Sequence, residues 1–216
     1  MNGTDALLRI DGLSWEAGGR RRGVPPGPLS VGSGQTAVIV AGDTAEAEVL
    51  ADILLGLDWR FRGKISVNGQ EITMRPPEER EIGLVPAGGG LLPQLTVERN
   101  LVLAAREHRG SSQVHGRVGF MAARMRIEGF LHARPHELAH DERLTVALAR
   151  ALCRHRPVKV VLVEDHTGSG PCHAAVSAAM GADPSLAVVV VTDDRTRVAS
   201  LASPALLWEV GDVAEP

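Results

Sequence analysis

The sequence has no tyrosine, and aromatic residues make up only 3% of its 216 positions. A core must therefore be built from Val, Leu, Ile and Ala, which the 44% hydrophobic content supplies in quantity. Lysine is nearly missing too: of 23 basic residues only Lys64 and Lys159 are lysines. The two cysteines, Cys153 and Cys172, are too few for a disulfide framework, so a reducing compartment is expected. No uninterrupted apolar run reaches the roughly 18 residues of a membrane span, and the N-terminus lacks a signal-peptide core. A net charge of −3 and a pI near 6.2 exclude a global pull towards nucleic acid or anionic membrane. Neither a nucleophile–base arrangement nor a zinc-finger spacing stands out. His132, His136 and His140 are spaced four apart, but Pro135 interrupts the helix that would align them, and no metal site is assigned.

What is present is an alternation of strands and helices. Leu7–Ile10 reads as a first strand and Gly18–Pro28 as a turn or mobile loop, its Arg20-Arg21-Arg22 run a solvated stretch or, as the lesser alternative, a small anion site. Asn68-Gly69 between β-branched residues signals a hairpin across Gly63–Ile72. Val158–Val163 and Leu186–Val191 are apolar on both faces, as buried parallel strands are. From Leu95 to about Arg156 the periodicity is helical. This pattern predicts an α/β fold with a parallel sheet, as one domain over 1–216. Its core would comprise 1–86 and 158–216, with an inserted helical lobe at 87–157.

Between Val38 and Leu57 lies the outline of a phosphate-binding loop: a β-branched strand, a turn, then helical spacing. Such a loop needs glycines whose N–H groups wrap phosphate, a Lys for the outer phosphates and a hydroxyl for magnesium. Over Gly42, Asp43, Thr44, Ala45, Glu46, Ala47, Glu48 and Val49 those residues are missing. The Lys slot is Ala47 or Glu48 and the hydroxyl slot Glu48 or Val49, depending on register. Asp43, Glu46 and Glu48 stand where a polyanion should bind. Carboxylates in the first turn of a helix are favourable by about 0.3–1 kcal/mol each. Glu46 and Glu48 are thus expected to act as a built-in anion or, with equal weight, to be ordinary first-turn acids.

The run Arg134-Pro135-His136-Glu137-Leu138, followed by Arg143–Leu152 and then an apolar strand, resembles the signature region of ABC transporter nucleotide-binding subunits. Leu91, Leu92, Pro93, Gln94 and Leu95, continuing to Leu101, resemble the segment that faces the permease in that family. The resemblance covers nearly the whole chain. It implies a RecA-like P-loop core with an inserted helical subdomain.

The family's nucleotide motifs then depart in turn. The signature falls on Leu138, Ala139, His140, Asp141 and Glu142, where acids replace amides that would meet a γ-phosphate. The Q-loop glutamine position is Ala87. The Walker B acids appear as Glu164 and Asp165, in swapped order, and the switch histidine is Asp193. The adenine-stacking position falls near Ala17, and the D-loop near Gly168–Pro171. Glu164, Asp165, Asp193 and Asp43 would converge on one crevice, open to a divalent cation or a basic partner residue or merely solvated.

The resemblance implies a degenerate subunit, a pseudo-ATPase with a structural or regulatory role on a permease or a paralogous ATPase. The alternatives are a weakly active ABC ATPase energising transport in a heteromeric complex, and a soluble regulator on the same scaffold. No cofactor is expected, with ATP and magnesium binding only if the altered site retains affinity. The partners implied are a permease subunit and an intact ABC ATPase or a second copy, with no nucleic acid. The expected location is cytoplasmic, peripheral at the inner face of the cell membrane.

Overall fold

The computed structural model describes residues 6–24, 27–106, 111–154, 156, 158–166, 172–201 and 205–213. The chain forms two sheets. Strands β1 (Ala6–Ala17), β2 (Arg20–Gly23), β3 (Leu29–Gly32), β5 (Phe61–Val67), β6 (Gln70–Glu71) and β11 (Gly211–Asp212) make an antiparallel sheet in the order β11-β2-β1-β5-β6, with β3 also on β1. Strands β4 (Thr36–Val40), β7 (Ile82–Val85), β8 (Val160–Glu164), β9 (Ala187–Thr192) and β10 (Ala205–Glu209) make a parallel sheet in the order β10-β4-β9-β8-β7. The helices are α1 (Thr44–Leu55), α2 (Val97–Ala105), α3 (Ser111–Met125), α4 (His140–Leu152) and α5 (His173–Ala182).

The parallel sheet separates two apolar cores, which explains its doubly apolar strands. Along β9, Val188 and Val190 pack with the helices of one layer, while Ala187, Val189 and Val191 face α1 and the antiparallel sheet. In β8, Val161 and Val163 divide from Val160 and Leu162 in the same way. Side chains alternate along a strand, so both faces must be apolar when both are covered. The hairpin between β5 and β6 turns at Asn68 and Gly69, both at positive φ, which suits a two-residue loop.

One sequence expectation needs correction. The arginine run does not lie in a solvated loop: Arg20–Gly23 is strand β2, paired antiparallel with Ser14–Ala17 of β1 and with β11. Strand alternation puts Arg20 and Arg22 on one face, towards the loop before α1 and Asp212, and Arg21 on the other, where it donates to Ser14 Oγ.

Helix α1 is anchored at its far end by a buried cation. Arg80, fully buried, donates to the carbonyls of Ile53, Leu54, Thr73 and Arg75 and lies 5.3 Å from the Trp59 ring centre. Two of those carbonyls belong to the last turn of α1, where a positive charge complements the helix dipole. Burial lowers the Arg80 pKa from its ordinary value. Gly56, the left-handed C-cap of α1, leaves room for that guanidinium, since a Cβ there would run into Arg80 Nε. Gly56→Ala is therefore expected to destabilise the fold by more than about 1 kcal/mol, from the positive φ and the pinned guanidinium together. Thermal unfolding measures it, and an unchanged melting temperature would contradict this account of the α1 anchor.

Candidate functional site

The parallel strands β4, β7, β8 and β9 all deliver their C-terminal ends to one side of the sheet, where open α/β sheets place ligands. The loop after β4 is short. Val40 ends the strand and α1 begins at Thr44, leaving Ala41, Gly42 and Asp43 between them. Asp43 is the N-cap: its Oδ1 accepts from Glu46 N–H at 2.8 Å.

Glu46 then folds back over the loop. Its Oε2 accepts from Gly42 N–H at 2.6 Å, and its two oxygens accept from Arg22 Nε at 2.6 Å and Nη2 at 3.1 Å. The pair is well sheltered, with side chains 7% exposed for Glu46 and 21% for Arg22. Arg22 also donates to Asp212 Oδ1 at 2.9 Å, tying β2, α1 and β11 together. The Glu46 hydrogen bond, followed by that to Asp212, raises the Arg22 pKa still further above its ordinary value. The Asp212 carboxyl is correspondingly lowered by Arg22. A Cβ on Gly42 would come within 3.1 Å of Glu46 Oε2 and 3.3 Å of Arg22 Nη2, so a glycine suits this approach.

The remaining loop residues divide by helix phase. Ala47 is fully buried in the core, while Asp43, Thr44, Ala45 and Glu48 are exposed and Val49 is half-buried. Of the two first-turn acids proposed as a built-in anion, only Glu46 reaches the loop amide. An open cleft of about 450 Å³ lies beside the loop, bordered by Ala17, Arg20, Arg22, Gly42, Asp43 and Glu46 among others.

The neighbouring strand ends are tied to the same region. Asp193 Oδ2 accepts from Thr44 Oγ1 at 2.5 Å, joining the end of β9 to the start of α1. Thr192 Oγ1 donates to Asp165 O at 2.8 Å and accepts from Asp194 N–H at 3.1 Å. Glu164 Oε2 accepts from Ala87 N–H at 3.1 Å and lies 3.9 Å from Nε2 of the buried His166. The acids expected to share one crevice are thus engaged separately: Asp43 on a helix end, Asp193 on a hydroxyl, Glu164 on an amide. Among the described residues no group of three His, Cys, Asp or Glu is placed to hold a metal ion. Gly168–Pro171 lie outside the described residues.

Helix α4 repeats the self-capping of α1. Ala139 is its N-cap, and Ala139 N–H donates to the Glu142 carboxylate at 2.8 Å. Leu138 is buried, His140 and Glu142 are half-buried, and Asp141 is exposed. Pro135–Glu137 form a separate 3-10 turn, so His136 and His140 do not share a helix.

The 91–95 segment is held from beneath by Asn100. This fully buried amide accepts from Leu92 N–H and donates to the carbonyls of Leu92, Leu95 and Thr96. Pro93 and Gln94 are left exposed, with Leu91, Leu92 and Leu95 half-buried. Arg150 of α4 donates to the carbonyls of Gly89 and Gly90, just before the segment, and burial lowers its pKa. Sequence reasoning missed Asn100 and Arg150, and it held the arginine run as an anion site only as the lesser alternative.

Residues 29–163, more than half of the chain, match the family model described as ABC transporter. The chain belongs to the ABC transporter family. It is 30% identical over 150 residues to the sn-glycerol-3-phosphate import ATP-binding protein UgpC of Escherichia coli K12, covering 69% of this chain and 42% of that protein. It is 31% identical over 144 residues to the thiamine import ATP-binding protein ThiQ of Brucella suis, covering 66% and 59%. The chain thus spans about half the length of these relatives. Among solved structures, it superposes on CbiO1 of Clostridium perfringens, described as part of the ABC transporter complex CbiONQ. The TM-score is 0.74 at 18% identity, over 96% of this chain and 87% of that one. A nucleotide-free ATP-binding cassette from an ABC transporter gives 0.71 at 14%, over 95% and 89%. These likenesses establish the ABC nucleotide-binding fold. Among the described residues no helix is long and apolar enough to cross a membrane.

The Glu46–Arg22 pair is expected to act as one structural unit. Glu46→Ala and Arg22→Ala should each cost about 1–3 kcal/mol, because each leaves a sheltered polar partner unmatched. The double variant should cost less than their sum by at least about 0.5 kcal/mol. Denaturant unfolding of the four proteins measures this, and strict additivity would show that the pair is not coupled.

Proposed function

We propose that this chain is an ABC-family subunit that assembles without turning over ATP, a pseudo-ATPase whose phosphate cradle is filled by its own carboxylate. The observation that carries this reading is Glu46 on Gly42 N–H and on Arg22. A helix N-terminus and a loop amide are what an anionic phosphate needs. Here a side chain already satisfies them, and a phosphate must displace a carboxylate held by a guanidinium. It must also approach past Asp43 and Glu48, both exposed.

The second helix end argues the same way. If Leu138–Glu142 is the signature position, the face offered to a nucleotide on a partner subunit carries Asp141 and Glu142. Pairing with an intact ATPase would then weaken both composite sites, since one lacks the cradle lysine and the other meets carboxylates. The role left to the chain is assembly or regulation. The 91–95 segment, shaped by Asn100 and exposed at Pro93 and Gln94, is the proposed permease contact. That contact would hold the chain at the cytoplasmic face of the membrane.

A competing reading is supported by the names of the relatives, which are import ATP-binding proteins. Under it, the chain is a weak ATPase energising transport within a heteromeric complex. Titration calorimetry with Mg-ATP and ADP separates the two. The pseudo-ATPase reading predicts no binding heat up to about 1 mM nucleotide, a threshold near −4 kcal/mol. Saturable micromolar binding would overturn it in favour of the weak ATPase.

A further inference from the structure

A second cleft lies at the opposite side of the parallel sheet. Val158 and Lys159 lead into the N-terminal end of β8, and Asp183 and Pro184 precede β9, so this end faces away from Gly42, Glu164 and Asp193. The cleft encloses about 500 Å³ and is bordered on its other side by Arg117, Phe120 and Arg124 of α3.

Its chemistry is lopsided. Phe120 is 60% exposed, one of only three phenylalanines in the chain. Arg124 stacks over its ring at 5.6 Å, which holds a cation and an apolar surface together at the rim. Arg117, Arg124 and Lys159 supply three positive charges, and none belongs to an ion pair among the described residues. The Arg117 guanidinium is used internally, donating to the carbonyls of Leu152, Cys153 and Arg154 at the end of α4. It adds positive field without being available to move. The one lining acid, Asp183, is half-buried, its Oδ1 accepting from Ser185 N–H and Oγ, and the three cations outnumber it. In a chain of net charge −3, a local excess of cations around an exposed aromatic ring is selective for an acidic partner that carries an apolar anchor.

We infer that this cleft docks an acidic segment of a partner protein, with one apolar side chain entering beside Phe120 and carboxylates meeting Arg124 and Lys159. Concavity distinguishes this occupant from a membrane surface. A cleft of about 500 Å³ takes several side chains of a protein segment, whereas a flat headgroup layer touches only its rim. The position also matters. The cleft is at the far end of the sheet from both the loop before α1 and the 91–95 segment. An occupant there competes with neither a nucleotide nor a permease, which suits a regulatory protein joining an assembled complex. The inference does not depend on whether the chain binds ATP.

The test is fluorescence anisotropy of the purified chain with labelled acidic peptides, each a run of Glu and Asp around a single central Leu, Met, Phe or Trp. Saturable binding is expected in low salt, weakening at least about tenfold for Arg124→Glu combined with Lys159→Glu. Phe120→Ala, exposed and safe for the fold, should weaken the peptides with an aromatic or aliphatic centre towards the affinity of an all-acidic control. Arg60→Glu, an exposed charge reversal outside the cleft, should leave binding unchanged. Absence of saturation with every peptide would overturn the inference. So would equal loss in Arg60→Glu, which would mean unspecific charge attraction. Cosedimentation with phosphatidylserine vesicles that depends on Phe120 and Arg124, without peptide binding, would replace the protein partner by a lipid surface.

Discussion

The organisation of the candidate site depends on one contact, the Glu46 carboxylate folded back on Gly42 N–H and clasped by Arg22. The loop amide and the helix end are both satisfied from within the chain. Glu46 supplies the anion and β2 supplies the cation. Asp43 caps the helix, and Thr44 is tied to Asp193 across the mouth of the site. The loop is short, with only Ala41, Gly42 and Asp43 between β4 and α1. Arg22 extends the same contact to Asp212, so the anion position is coupled to the antiparallel sheet and to the last strand.

A similar solution recurs at α4, where Glu142 returns to the amide of its own N-cap residue. Each is satisfied by a glutamate from its own first turn. Two independent helix ends are thus closed in a similar chemical way. Arg80, Arg117 and Arg150 add a related device, buried or half-buried guanidinium groups that satisfy the carbonyl ends of α1, α4 and the 88–90 turn.

Much of the fold was legible from local pattern. The doubly apolar β8 and β9, the Asn68-Gly69 hairpin and the alternation of strands and helices each express a short-range rule. The helix phase of α1 also held information: Glu46 lies four residues before Leu50, on the buried stripe, while Glu48 lies off it. Arg22 was harder. Its partner is 24 residues away in sequence, and nothing local distinguishes a strand arginine that meets a carboxylate from one in a solvated loop. The same holds for Arg80 and Asn100, whose carbonyl partners are assembled by the path of the chain rather than by spacing.

The most direct measurement is an NMR titration of the isotopically labelled chain with Mg-ATP, following Gly42 N–H and Arg22 Nε–H. The account predicts that both resonances stay in place to about 5 mM nucleotide, far above any Kd useful for turnover, because Glu46 keeps both donors occupied. Saturable movement of Gly42 together with loss of the Arg22 signal would show phosphate displacing the carboxylate, and would contradict the claim that the chain fills its own cradle.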